Sequence, residues 1–295
     1  MLRDFFPRFF QKIGRKKRLN GGRYAMNEKK IRLGLVGKDV SKSLSEAMHG
    51  FILSEFGYQC EYERISVSPD GFDSAIRRLL GDFDGFNVTI PYKRDVMEYL
   101  DETVGDAMDF GAVNTVLSAK KAGYNTDGLG FMLMLRLANI DLTGKRVLLL
   151  GAGGAGRSSA AALKKAGATV YIYQRRRAEL LETCNELGVF AADDPEKGGY
   201  DVLVNCTGVG MHDTEGKSPV TANAFVGATA AVDLIYVPEK TEFLRLAEAQ
   251  GLSILNGMAM LFYQAYYADC IYLGVTPDDA QAAQFFQKYN EQSSK

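Results

Sequence analysis

Residues 146–177 read RVLLLGAGGAGRSSAAALKKAGATVYIYQRRR. Arg146 to Leu150 is an unbroken apolar run after its first residue, the pattern of a strand buried on both faces. GAGGAG (151–156) follows, placing Gly151, Gly153 and Gly156 in a G-x-G-x-x-G spacing with Ala152, Gly154 and Ala155 between them. An alanine-rich helix, Ser158 to Ala166, and a second strand, TVYIY (169–173), come next. In that context the glycines have distinct uses. Gly151 permits a tight turn, Gly153 lets the backbone approach a pyrophosphate, and Gly156 lets the helix pack close to the sheet. The phosphates then meet free N–H groups at a helix N-terminus, where the dipole favours negative charge. A glycine-rich packing turn with no ligand is the alternative reading. The second strand ends in Gln174, Arg175, Arg176 and Arg177, with no carboxylate for a ribose 2′-hydroxyl. Guanidinium groups suit a 2′-phosphate, so the cofactor expected is NADP rather than NAD. A solvated basic helix start is the plainer reading, although basic charge opposes the helix dipole there.

Outward from this unit, short apolar strands alternate with helical stretches. Strands are expected at 31–37, 60–66 and 85–89, and helices at 46–56, 72–80 and after Pro91, since proline suits a first helical turn. Downstream, VLVN (202–205) and AAVDLIY (230–236) read as strands, and 241–250, 258–273 and 277–289 as helices. The alternation marks an α/β protein with parallel strands. A seam is expected near Asp127 to Gly130, with a return near Asn256 and Gly257. The expected segments are a basic extension at 1–25, a first α/β domain at 26–127, a nucleotide-binding domain at 128–256 and C-terminal helices at 257–295.

With 295 residues, the chain is long enough for two domains. Apolar residues make up 46% and charged residues 24%, which excludes a wholly disordered chain. No run reaches the roughly 20 apolar residues of a membrane helix. Lys and Arg number 35 against 36 Asp and Glu, so there is no global case for nucleic-acid binding. Eight basic residues lie in 1–25, with Asp4 the one acid; the remainder holds 27 basic and 35 acidic residues, a net of −8. The N-terminal segment mixes Phe5, Phe6, Phe9 and Phe10 with Arg15 to Arg18 and lacks the apolar core of a secretory signal. It reads as an upstream extension with Met26 the start, a disordered tail, or a surface-binding segment. Cys60, Cys184, Cys206 and Cys270 are far apart, and the two histidines, His49 and His212, add no metal-ligand spacing, so free thiols in a reducing cytoplasm and no zinc site are expected.

Three polar motifs occupy the first half. SKSLS (41–45) puts Ser43 and Ser45 at a helix start, where they either cap the helix or hold a carboxylate. In GFNVTIPYK (85–93), Asn87 and Thr89 share a strand face and Lys93 follows. Lys93 is either a solvated surface lysine or a cleft lysine able to carry a proton. GAVNTV (111–116) and GYNTDG (123–128) gather Asn114, Asn125, Thr126 and Asp127. Asp127 is either a turn or cap residue or a functional carboxylate.

Taken in order, SKSLS, NVTIPYK, GAVNT, NTDG, GAGGAG, NCTGVGM (205–211), VDLIYVPEKT (232–241) and NGMAMLFYQA (256–265) resemble the shikimate dehydrogenase family from about Ile31 to Gln264. The resemblance implies two α/β domains with a cleft between them, an N-terminal substrate domain and a Rossmann-type NADP domain, with the C-terminal helices packing back on the first. It implies that Ser43 and Ser45, helped by Tyr236, bind the substrate carboxylate, and that Asn87, Thr89, Asn114 and Gln264 bind its hydroxyls. Lys93 and Asp127 would be the catalytic pair for hydride exchange between substrate C3 and nicotinamide C4. Gly151 to Gly156 would line the phosphate turn. Arg175 would take the 2′-phosphate beside Gln174 and Arg176, with Thr207 and Met211 on the cofactor side and Gly257 near the nicotinamide. The chain departs from the family where Asp39, Lys42 and Glu46 flank the serines, and where NCTGV replaces the usual N-A-T-P run. Other readings are a quinate or mixed quinate/shikimate dehydrogenase, a catalytically idle ligand-binding module and, least favoured, a folate dehydrogenase. A cytoplasmic monomer or homodimer acting on a small molecule, with no nucleic-acid or integral membrane contact, is expected.

Overall fold

A computed structural model describes residues 29–293; the basic segment 1–25 lies outside them. The chain begins with β1 (Lys29–Gly37), α1 (Ser45–Glu55), β2 (Tyr58–Ser66), α2 (Phe72–Asp82), β3 (Gly85–Val88), β4 (Glu102–Thr103), α3 (Asp106–Phe110), β5 (Thr115–Leu117) and β6 (Ala122–Tyr124). It continues with α4 (Asp127–Leu137), β7 (Arg146–Leu150), α5 (Gly154–Lys165), β8 (Thr169–Tyr173), α6 (Arg177–Leu187) and β9 (Phe190–Ala191). Last come β10 (Val202–Asn205), β11 (Ala230–Asp233), α7 (Glu242–Glu248), β12 (Ser253–Leu255), α8 (Met258–Leu273) and α9 (Asp279–Ser293). The described chain forms two compact units. One runs to Thr126 and resumes at Ala265; the other is Asp127–Gln264. The division therefore falls inside α8.

The first unit holds a six-stranded sheet in the order β2-β1-β3-β5-β6-β4. β1 pairs in parallel with β2 and β3, but β5 pairs antiparallel with β3 and β6. The parallel arrangement expected from the strand–helix alternation is thus corrected to a mixed sheet. Only a 3-10 turn, Ser118–Lys120, and Lys121 separate β5 from β6, and a parallel crossover needs about a dozen residues. The helix expected after Pro91 is also absent. Turns run to Arg94, followed by a 3-10 turn at Asp95–Tyr99. The Lys93 carbonyl accepts from Val113 N–H at 2.8 Å, and Met97 N–H goes to Arg94 instead, so no i to i+4 ladder forms through Lys93.

On one face of this sheet, Val36, Phe86, Val88 and Val116 meet Phe72, Ile76 and Leu79 of α2. Phe72, Ala75, Ile76 and Leu79 repeat at helical spacing, giving α2 one apolar stripe. Elsewhere in this unit Ile31 and Leu33 pack with Leu53 of α1 and with Ala268 and Tyr272 of α8. Each fully buried side chain of this size stabilises the fold by about 1.5–3 kcal/mol. α9 lies along α1: Phe51 meets Tyr289 and Phe56 meets Phe285, each at 5.4 Å, and Lys288 pairs with Glu55 at 2.5 Å.

The second unit has six parallel strands in the order β12-β11-β10-β7-β8-β9. Numbered within the unit, this is the 3-2-1-4-5-6 order of a doubly wound sheet, with its switch point between β7 and β10. Val147 to Leu150 are buried, as their apolar run requires. α5 starts at Gly154, before the expected Ser158. β11 ends at Asp233 rather than residue 236, because the Asp233 carboxylate captures the N–H of Ile235 at 3.0 Å and turns the chain. α4 crosses the start of α8 backbone to backbone: a Cβ on Gly130 would lie 2.6 Å from Gln264 N and 2.8 Å from Met260 O. Among the described residues no helix is long and apolar enough to cross a membrane, and no group of His, Cys, Asp and Glu could hold a metal ion.

Candidate active site

In the first unit, side-chain hydrogen bonds join residues far apart in sequence. Ser43 Oγ donates to Ser45 Oγ at 2.9 Å and accepts from Ser45 N–H at 3.2 Å. The N-cap of α1 is Leu44, which contributes no side-chain cap, so the serines are not conventional caps. The flanking departures from the family pattern have local roles. Asp39 Oδ1 accepts from the N–H (3.0 Å) and hydroxyl (2.7 Å) of Ser41, and these bonds hold its carboxyl below the usual range. Glu46 pairs with Arg64 at 3.0 Å.

Asn87 is buried at the centre of β3. Its Nδ2 donates to Asn114 O at 3.2 Å and its Oδ1 accepts from Tyr62 at 3.2 Å. Asn114 Oδ1 accepts from Thr126 N–H at 2.9 Å and Asn114 Nδ2 donates to Thr126 Oγ1 at 3.0 Å. This amide therefore fixes the backbone one residue before Asp127, which is itself buried in the first turn of α4. Half-buried Lys93 is tied to the segment just before β5 by its carbonyl bond to Val113, the neighbour of Asn114. Thr89 packs against Gly37, where a Cβ would lie 2.4 Å from its methyl group. Ser43, Ser45, Asn87, Thr89, Asn114 and Lys93 all belong to this unit. Asp127, Tyr236 and Gln264 belong to the second. Tyr236 is half-buried, which raises its phenol pKa, and Gln264 Nε2 donates to Leu261 O at 2.8 Å.

In the second unit the glycine turn has room for an anion. Gly151 adopts φ +96°, a conformation that favours glycine. Gly153 and Gly154 have nothing within 4 Å of where a Cβ would stand. A Cβ on Gly156 would lie 2.6 Å from Gly151 O and 3.2 Å from Cys206 Cβ, so this glycine closes the turn against the end of β10. Gly153 is the N-cap of α5, and no side chain caps that end. An uncapped N-terminus beside open glycines fits a pyrophosphate.

The arginines after β8 are not equivalent. Arg176 pairs with Glu179 at 2.5 Å and Arg177 with Asp193 at 2.7 Å, whereas exposed Arg175 has no side-chain partner among the described residues. Glu179 also accepts from Gln174 Nε2 at 3.1 Å. The expectation that no acid stands near this cluster is corrected: the first turn of α6 brings Glu179 back to it. Arg175 is left as the arginine open to a phosphate.

Sequence motifs alone did not single out Asn205, Asp233 and Thr241. Asn205 and Asp233 face one another in the parallel register at the ends of β10 and β11. Asn205 Nδ2 donates to Asp233 Oδ1 at 3.0 Å, and Thr241 Oγ1 donates to Asp233 Oδ2 at 2.6 Å. Asn205 Oδ1 accepts from the Thr207 hydroxyl at 2.6 Å. The network ties the 205–211 loop, with Thr207 and Met211, to the 233–241 loop. Gly257 is held nearby: its N–H bonds Ile235 O at 3.0 Å, and a Cβ would lie 2.0 Å from Leu234 O. Two polar residues ending adjacent strands were the available signal. Tyr62 was also missed, since one tyrosine in an alternating strand carries no motif.

Comparison with known proteins finds relatives over most of the chain. The shikimate dehydrogenase substrate-binding domain profile matches residues 35–116. A curated relative from Thermus thermophilus, named shikimate dehydrogenase (NADP(+)), is 38% identical over 84% of this chain and 94% of its own. The crystal structure of shikimate 5-dehydrogenase from Thermus thermophilus, in complex with NADP(H) and shikimate, superposes with a TM-score of 0.80 at 36% identity, covering 88% of this chain and 99% of that one. A chorismate mutase/shikimate 5-dehydrogenase fusion protein from Clostridium acetobutylicum superposes with a TM-score of 0.84 at 31% identity, covering 92% of this chain and 100% of that one.

Proposed function

The chain belongs to the shikimate dehydrogenase family, and from that premise we propose that it interconverts 3-dehydroshikimate and shikimate with NADP. The observation that carries the reading is the polar set in the first unit: two hydrogen-bonded serine hydroxyls, and the buried amides of Asn87 and Asn114 bonded to one another. A ring bearing one carboxylate and several hydroxyls needs such an array, with donors for the acid and mixed donor–acceptor groups for the ring. Ser43 and Ser45, with Tyr236, take the carboxylate. Asn87, Thr89, Asn114 and Gln264 take the hydroxyls, each bonded hydroxyl adding discrimination against analogues that lack it.

NADP, when bound, supplies or accepts hydride at nicotinamide C4. Gly151, Ala152, Gly153, Gly154, Ala155 and Gly156 hold its pyrophosphate, and Arg175, between Gln174 and Arg176, holds its 2′-phosphate. Thr207 and Met211 would lie on the cofactor side, with Gly257 near the nicotinamide. Reduction at C3 needs a proton on the C3 oxygen and oxidation needs it removed. Lys93 Nζ carries that proton, and Asp127, whose approach is fixed through Thr126 and Asn114, orients it.

The test is absorbance at the reduced-nicotinamide band, supplying shikimate or quinate with NADP or NAD. Rapid NADP reduction by shikimate is expected, falling about 10²–10⁴-fold in Lys93→Ala. Faster turnover with quinate or NAD would reassign the substrate or cofactor. Folded protein that turns over no pairing would leave an idle binding module.

A further inference from the structure

Behind the serines of the first unit lies a second polar cluster to which the proposed reaction gives no role. His49 stands one helical turn after Ser45 on α1 and is fully buried. Its Nδ1 is 2.7 Å from Oδ1 of Asp269 on α8, also fully buried. The His49 ring stacks on Tyr62 of β2, with centroids 5.1 Å apart and planes 17° apart. Tyr272 lies 6.4 Å from the His49 ring and presses on Gly85, where a Cβ would stand 2.4 Å from its ring. His49 Nε2, Asp269 Oδ2 and the Tyr272 hydroxyl have no hydrogen-bond partner among the described residues. Stability alone does not explain such a cluster, because buried polar atoms without partners are costly.

The direction of hydrogen bonding above this cluster follows from one atom. Asn114 O can only accept, so the Asn87 atom facing it at 3.2 Å is the amide nitrogen. Asn87 Oδ1 then faces Tyr62, and the phenol must donate to it. Ser45 accepts the proton of Ser43, whose own acceptor side takes the Ser45 N–H. Separately, donation runs from the Tyr62 phenol through the Asn87 amide to the Asn114 carbonyl, so the orientation of that amide is fixed at both ends.

We propose that Tyr62 is a substrate-positioning residue: its phenol holds the Asn87 amide in the orientation that meets a substrate hydroxyl, and the buried His49–Asp269 pair clamps its ring. The proposal rests on the function proposed above. Tyr62 acts on a hydroxyl-binding amide, so its effect falls on substrate affinity rather than on cofactor affinity.

Tyr62→Phe keeps the ring and its stack and removes only the hydroxyl. The double variant His49→Leu with Asp269→Leu removes the clamp without leaving one buried charge behind. In steady-state kinetics, Tyr62→Phe should raise KM for shikimate about five- to tenfold, the loss of roughly one hydrogen bond. KM for NADP should be unchanged, and kcat should change less than KM. The double variant should raise the shikimate KM in the same direction, and calorimetric titration of each folded variant with shikimate should show the same loss. Wild-type KM for shikimate in Tyr62→Phe overturns the positioning role, whether or not the double variant folds. Equal losses toward shikimate and NADP would show a general structural effect and also overturn it. A folded wild type that does not reduce NADP with shikimate defeats the proposed function instead, a result distinct from either.

Discussion

Asp233 and Asp269 are fully buried carboxylates, one in each unit, and they are supported in opposite ways. Asp233 accepts from the Asn205 amide, the Ile235 N–H and the Thr241 hydroxyl, all within 3.1 Å. Burial raises its pKa, but these three donors favour the charged form and oppose the rise. Asp269 has one partner, His49, and its second oxygen has none among the described residues. Burial pushes its pKa up to about 6, with the His49 interaction working against the rise. One carboxylate is a knot that holds two loops. The other is a contact whose worth depends on its proton. Burial alone does not say what a charged group does; its count of donors does.

The sharpest way to break the contrast is to remove the knot. Asp233→Ala strands the buried Asn205 amide, the Thr241 hydroxyl and a backbone N–H, and should cost about 3–5 kcal/mol. Urea unfolding would measure this, and a loss under 1 kcal/mol would mean the loops are held some other way. Asp269→Asn probes the other carboxylate through pH. A folded pKa raised above the unfolded value means the native state holds the proton more tightly. The group's contribution is present below about pH 4 and is lost as pH rises through about 6. The wild type should therefore gain on Asp269→Asn by roughly 2–3 kcal/mol between pH 6.5 and pH 4, seen as diverging urea midpoints. Parallel profiles would show that Asp269 titrates normally. Asp141 and Asp201 in the second unit slope the opposite way, since hydrogen bonds lower their pKa values.

The exposed arginines extend the contrast to a site that works without burial. Arg175→Ala should lower kcat/KM for NADP tenfold or more, about 1.4 kcal/mol, and barely move stability. A comparable loss with NAD would dissociate Arg175 from the 2′-phosphate. Arg176→Ala should change NADP kinetics less than about threefold, because Glu179 already engages that side chain and exposed pairs contribute little. A larger loss than in Arg175→Ala would exchange the two roles.

What the sequence made legible was local. The apolar run, glycine spacing and arginine cluster of 146–177 lie within one strand–turn–helix–strand unit, and periodicity finds such units directly. The antiparallel turn back at β5–β6 escaped because three-residue strands have too little pattern. The lost helix after Pro91 escaped because its cause, the Lys93–Val113 bond, joins residues 20 apart. In the candidate site, Ser43, Ser45, Asn87 and Asn114 stood out because polar groups interrupt apolar runs there. Tyr62 and its clamp did not: His49 and Asp269 are separated by 220 residues, and nothing in either neighbourhood names the other. Glu179 was overlooked because the reading stopped at the strand end, while the helix turn brings the acid back.

The first unit leaves the chain at Thr126 and takes it up again at Ala265. On the ribosome this sets an order of completion. The second unit has its whole sequence once Gln264 has emerged, whereas Ile31, Leu33, Leu53 and His49 await partners on α8, and Glu55 awaits Lys288 on α9, made more than 200 residues later. Contacts of such span slow the closing of the unit that holds them, and until then the nascent chain carries an uncovered apolar face on α1 and β1. Truncation just before α8 would thus damage the beginning of the protein rather than its end.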